Sequence, residues 1–270
     1  MPGLYYEELG AGVPILLVHP AGATASTWGA AADELAEIGR VIAYDRRSYA
    51  RSGGELVRSM STHTADAAAL LESLQAPPAV VVGTSAGAAI AVDLAVRRPD
   101  LVRAVVAHEF PWRFRRQLPT ATQVKALVRI GWLALLGRHA DSAEALLRSA
   151  YTYRDGTTAW DVFPEEWRRA GRDNARAALA DFRNSIGIYP SATDLAAVEV
   201  PVVCTYGQRS PESMVRLVRS LAAAVPDATT RQIEGAGHAA PFDATANFVA
   251  VVADTVIATA QTGATLPGRP

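Results

Sequence analysis

A serine, a histidine and a carboxylate, far apart in the chain, are the residues whose surroundings suit them for chemistry. Ser85 is the centre of Gly83-Thr84-Ser85-Ala86-Gly87. Val80-Val81-Val82 precedes it and small, helix-compatible residues follow, the composition of a strand, a very tight turn and a helix. Glycine at 83 and 87 suits a turn that brings two backbones too close for a β-carbon. A serine at that apex points its hydroxyl out of the sheet, as a nucleophile must; an ordinary turn serine is the plainer reading. A hydroxyl attacks poorly unless a base takes its proton. Among the five histidines, His238 suits that role best, because Gly235-Ala236-Gly237 lets its loop reach back from the last expected strand. His63 and His139 are expected to be solvated at helix ends, and His108 to fill space beneath Glu109.

An imidazole base in turn needs a carboxylate to hold its tautomer. Glu109 directly follows an expected strand, Leu101 to Ala107; Glu212 lies after another, Pro201 to Tyr206. Glu109 is preferred because it ends a buried strand, where an unpaired charge is costly. A salt bridge from Glu109 to Arg113, Arg115 or Arg116 is the alternative. Negative charge developing on a carbonyl oxygen calls for backbone donors. Ala86 offers one at the start of its helix, and Ala21 a second in the loop His19-Pro20-Ala21-Gly22-Ala23; Pro20 has no N–H.

These residues need a scaffold that gathers them. The chain has 270 residues, half of them hydrophobic, enough for one large core or a core with an insertion. Short apolar strands alternate with helices, the pattern of a parallel α/β sheet. Strands are expected at Leu4–Leu9, Pro14–Val18, Arg40–Tyr44, from Val80, at Leu101–Ala107, Pro201–Tyr206 and Thr229–Ile233. The alternation breaks at Pro111, and helical periodicity alone runs to about Asp194: Thr122–Leu136, Ser142–Tyr151 and Pro164–Asn184. The expected organisation is a core of residues 1–110 and 195–270 with a helical cap, 111–194, over the carboxyl edge of the sheet, where ligands bind in open α/β folds. Substrate-contact candidates are Pro20, Gly22, Trp132, Tyr153, Trp160, Phe182, Tyr189 and Pro241. Aromatic residues at helical spacing also serve as cap core.

Composition narrows the classes. Lys and Arg total 26 against 27 Asp and Glu, which argues against nucleic acid or an acidic membrane surface as the partner. No stretch is long and apolar enough to span a bilayer, and no signal-like start is present, so a cytoplasmic protein is expected. The single cysteine, Cys204, excludes an internal disulfide framework. No cluster has metal-ligand spacing and no loop has a phosphate signature, so no cofactor is expected. The expected ligand is a hydrophobic small-molecule ester or lactone, on a monomer or homodimer. A non-hydrolytic enzyme with the same pocket and a ligand-binding sensor are the rival readings.

Together these features resemble the α/β-hydrolase superfamily over essentially the whole chain, in the order Ser85, acid, His238. Asp45-Arg46-Arg47-Ser48-Tyr49-Ala50-Arg51-Ser52 resembles the superfamily's Asp-Arg-x-Gly-x-Gly-x-Ser loop. Ser48 and Ala50 replace its glycines, and its backbone is therefore expected to differ. Most members carry the acid in a Gly-x-x-Asp loop; here the stretch reads Gly207-Gln208-Arg209-Ser210. Within the superfamily the chain looks most like the zearalenone-lactonase group, on His108-Glu109-x-Pro111, Gly207-x-x-Ser210-Pro211-x-Ser213 and Gly237-His238-x-x-Pro241. That resemblance implies a Ser85–His238–Glu109 triad and an oxyanion hole from Ala21 and Ala86.

Overall fold

The computed structural model describes residues 3–112, 120–184 and 190–262. Its strands are β1 (Tyr6–Leu9), β2 (Pro14–Val18), β3 (Arg40–Tyr44), β4 (Ala79–Thr84), β5 (Val102–His108), β6 (Val202–Gly207) and β7 (Ala228–Ile233). They form one sheet in the order β1-β3-β2-β4-β5-β6-β7. Only β1 is antiparallel, along β3; every other pairing is parallel. The helices in chain order are α1 (Gly29–Ala36), α2 (Met60–Ser73), α3 (Ala86–Arg97), α4 (Ala121–Leu135), α5 (His139–Ala150), α6 (Glu165–Asp173), α7 (Ala175–Asn184), α8 (Ala192–Ala196), α9 (Glu212–Ala222), α10 (Ala240–Asp243) and α11 (Thr245–Thr262).

Ile15 to Val18 of β2 and Ala79 to Val82 of β4 are continuously apolar because both sheet faces are covered. Leu16, Val18 and Val81 pack on one side with Leu71 of α2, Ile90 of α3 and Val218 of α9. Ile15, Leu17, Val80 and Val82 pack on the other with Leu35 of α1 and Phe248 of α11. The helices α4 to α8 all fall between β5 and β6 in the chain.

Two helices differ from the periodicity. The segment expected as one helix over 164–184 is broken at Asn174, which is buried and accepts the Ala50 N–H through Oδ1 at 2.9 Å. The expected helix from Thr27 begins instead as a short 3-10 turn, Ala25–Trp28, and Gly29 has φ 42°. His63 is also not solvated: it lies in the first turns of α2, 1 % exposed, with Nε2 3.2 Å from Asp181 Oδ1.

The loop after β3 keeps left-handed backbone without glycine. Ser48 has φ 65° and Ala50 φ 38°, the region where a β-carbon crowds the backbone. Asp45 stabilises this turn by accepting the N–H of Ala25 at 2.7 Å and Arg51 Nε at 2.7 Å. Ala50 is exposed, so Ala50→Gly removes the crowding and little else. Its urea midpoint is expected to rise, by up to about 1 kcal/mol of stability after the entropy cost of glycine; a lower midpoint contradicts the strain.

Candidate active site

Ser85 sits between β4 and α3 at φ 52° and ψ −115°. Contact enforces the flanking glycines: a β-carbon on Gly83 would lie 2.3 Å from Gly87 O, and one on Gly87 2.0 Å from Val18 O. The Ser85 N–H donates to His108 O at 2.9 Å, tying the turn to the end of β5. Ala86, the first residue of α3, belongs to the helix N-terminus, whose N–H groups have no intrahelical partner.

Glu109 leaves β5 at φ 47° and is fully buried. Its Oε2 is 2.7 Å from His238 Nδ1. Its Oε1 accepts the Gly207 N–H at 3.0 Å and the Ser210 hydroxyl. Burial alone would raise the Glu109 pKa; the hydrogen bond from His238, with help from His108 and the Gly207 N–H, overrides it and holds the pKa at about 2. The carboxylate is therefore ionised at neutral pH and accepts the Nδ1–H of His238. The competing carboxylate, Glu212, is the exposed first residue of α9.

The loop bearing His238 is held from beneath. His108, fully buried, places Nε2 3.0 Å from Gly237 O and Nδ1 2.9 Å from Thr205 Oγ1. The Gly237 carbonyl can only accept, so His108 donates to it from Nε2 and takes the threonine proton at Nδ1. Asp243 accepts the Gly237 N–H at 2.8 Å and the Tyr153 hydroxyl at 2.6 Å. Tyr151 stands over His238, ring centroids 5.4 Å apart.

The loop bearing Ala21 is clamped through one carbonyl. Pro20 O accepts His19 Nδ1 at 2.8 Å, Arg46 Nη2 at 3.3 Å and the Ala23 N–H at 3.3 Å. The Pro20 C=O and the Ala21 N–H belong to one planar peptide unit, so fixing the first aims the second the opposite way. Arg46 is fully buried and pairs with Asp181 of α7 at 2.8 Å. Asp181 also accepts the Tyr49 hydroxyl at 2.6 Å. Helix α7 is thus joined to this loop by a buried ion pair.

Two cavities meet here. The larger spans about 1110 Å³, counting space open to solvent, and Ser85, Glu109 and His238 all line it. Pro20, Ala21 and Phe182 line it too. The smaller, about 550 Å³, is lined by Pro20, Ala21, Gly22, Trp160, His238 and Pro241 among others. Trp132 lies elsewhere: it is 62 % exposed on the outer face of α4, whose inward side is taken by Ile130 and Leu133. Tyr153 lines neither cavity, because its ring is stacked under Arg209 at 3.5 Å and its hydroxyl is bound by Asp243. Tyr189, Arg113, Arg115 and Arg116 lie outside the described residues.

Sequence reasoning missed Ser210 as a partner of Glu109, His108 as the anchor of the His238 loop, and Leu147 as a shared wall of both cavities. The only signal for Ser210 was the missing acid in Gly207-Gln208-Arg209-Ser210. Among the described residues no group of three or more His, Cys, Asp or Glu could hold a metal ion, and no helix is long and apolar enough to cross a membrane.

A family model described as the alpha/beta hydrolase family matches residues 15–251. The chain belongs to the α/β hydrolase family. Over 114 residues this α/β hydrolase is 38 % identical to the uncharacterized hydrolase YraK of Bacillus subtilis (strain 168), covering 40 % of this chain and 42 % of YraK. Over 113 residues it is 36 % identical to an epoxide hydrolase of Caballeronia sordidicola, covering 40 % of this chain and 34 % of that one. The matched stretch is therefore less than half the length of either relative. The crystal structure of the enol-lactonase from Burkholderia xenovorans LB400 superposes with a TM-score of 0.76 at 20 % identity, covering 94 % of this chain and 96 % of that one. At that identity the likeness is one of fold.

Buried histidines give the site an acid limit. Burial pushes His108 down to about 4. Burial, then the Arg46 cation, pushes His19 down to about 3 and His63 below its usual value. His19 and His108 stay neutral when folded well below the pH near 6.5 at which the unfolded chain protonates them, and His63 shifts in the same direction. Unfolding free energy is therefore expected to fall as pH drops from about 6.5 towards 4, by about 1.4 kcal/mol per pH unit for each proton taken up. The Glu109 contribution has the same direction in a lower window, complete above its ordinary value and lost as pH falls through about 2. Urea midpoints that stay level between pH 7 and 5 would contradict the neutral histidines.

Proposed function

We propose that this protein is a serine hydrolase that opens the ester or lactone of a hydrophobic small molecule through an acyl-enzyme. One observation carries the reading: a buried carboxylate 2.7 Å from His238 Nδ1, in the wall of the cavity that Ser85 also lines. In this reading Ser85 Oγ attacks the carbonyl carbon and His238 Nε2 takes its proton. Glu109 keeps the proton of Nδ1 in place and stabilises the imidazolium without itself becoming protonated. The N–H groups of Ala21 and Ala86 receive the oxyanion. His238 then hands its proton to the leaving oxygen, and a water activated by the same ring releases the acid.

Placing the acid at Glu109 supports membership of the zearalenone-lactonase-like subset, and the name of the enol-lactonase of like fold agrees with a lactone substrate. Apart from Glu109 and His238, no side chain that can carry charge lines either cavity among the described residues. That favours a neutral, apolar substrate.

The test is intact-mass and peptide mass spectrometry after exposure to a fluorophosphonate and to a panel of lactones and esters. A covalent adduct on Ser85, absent after heat denaturation, is the expected result. A labelled protein whose adduct lies elsewhere, or none at all with ligand bound tightly and unchanged, would turn the reading toward a non-hydrolytic enzyme or a sensor.

A further inference from the structure

The two cavities differ in their walls, and the reacting atoms divide them. The larger is largely aliphatic, with Leu127, Ile130, Leu146, Met214 and Leu217. The smaller is aromatic, with Trp28, Tyr151, Trp160, Phe163, Trp167 and Phe242. Its rings are already packed edge to face: Phe163 and Phe242 have centroids 5.1 Å apart at 89°, and Trp167 and Phe242 are 5.2 Å apart at 61°. Leu147 borders both spaces. A β-carbon on Gly22 would lie 2.8 Å from its Cδ1, and one on Gly171 also 2.8 Å. The isobutyl group is therefore wedged between the Ala21 loop and α6. Ser85 lines only the aliphatic space, whereas His238 and Ala21 line both.

Chemistry assigns the halves. When Ser85 Oγ bonds the carbonyl carbon and the C–O bond to the alcohol breaks, the acyl half stays attached to Ser85. It must then occupy the space that Ser85 faces. The departing oxygen takes the proton that His238 removed from Ser85; His238 borders both spaces, so the alcohol half can extend past it into the cavity that Ser85 does not line. We infer that the aromatic cavity is the leaving-group site, and that the substrate class is an ester joining an aliphatic acid to an alcohol that bears a planar aromatic ring. This rests on the serine-hydrolase reading. Edge-to-face walls match a flat ring better than a flexible chain.

A pair of isomers tests it: 2-phenylethyl hexanoate carries the ring on the alcohol and hexyl phenylacetate carries it on the acid. The wild type is expected to favour the first by about tenfold in kcat/KM, the scale of one or two good aromatic contacts. Trp167→Leu is expected to erase most of that preference by raising KM for the first isomer alone, with Phe242→Leu as the second variant should the first fold poorly. Calorimetric binding of both isomers to Ser85→Ala reads the cavity without turnover. Equal rates, or a preference for hexyl phenylacetate, unmoved by either variant, would remove the leaving-group assignment and leave the hydrolase reading standing. No turnover of either isomer, with Ser85→Ala still binding the 2-phenylethyl ester and losing it on Trp167→Leu, would remove the hydrolase reading and keep the aromatic site.

Discussion

On the proposed mechanism Ser85→Ala is expected to lower ester or lactone turnover by about 10⁶-fold, the scale lost when the hydroxyl nucleophile of a catalytic triad is removed. The rate constant should fall and ligand affinity should not. The two cavities keep every wall but one hydroxyl, and the apolar surface that binds substrate is untouched. Circular dichroism and the urea midpoint should also hold, because alanine accepts the same strained turn no less readily than serine. Turnover within tenfold of wild type on a chromogenic ester would place the nucleophile elsewhere.

Glu109→Gln is the second large effect, a loss of about 10³- to 10⁴-fold in kcat with KM little changed. Glutamine presents either an acceptor or an N–H to His238 Nδ1. Where the N–H faces the ring, Nδ1 must accept and Nε2 becomes protonated, so the base points its proton at Ser85. The same change should flatten the loss of stability between about pH 4.5 and 2, because the depressed carboxylate is gone. Glu212→Gln is the matched control. Its side chain starts α9 at the surface, and its kcat should equal the wild type. A crippled Glu212→Gln with a healthy Glu109→Gln would move the acid to the other loop.

Strands and the tight turn at Ser85 were legible because each is a local property. Val80 to Val82 are apolar on both faces, and Gly83 and Gly87 are small where two backbones nearly touch. The mostly parallel sheet follows from that alternation. What periodicity could not resolve was which way a helix faces when both of its sides are apolar. On α4, Ile130 and Leu133 are buried while Val128, Trp132 and Leu135 are exposed, and nothing in their spacing distinguishes the two sets. His63 misled for another reason: its partner, Asp181, is 118 residues away. The break at Asn174 is likewise set by a distant backbone group, that of Ala50. Ser48 and Ala50 show the converse, since the residue types changed while a turn suited to glycine stayed.

The serine at 210 has a consequence beyond its hydrogen bond. A serine at 210 brings no negative charge to the segment after β6. Pro211, Ser213, Met214 and Leu217, which follow it, line the cavity. With Glu109 at the end of β5 as the carboxylate beside His238, that stretch forms apolar wall, so substitutions at Met214 or Leu217 would reshape the space without touching the Glu109–His238 pair.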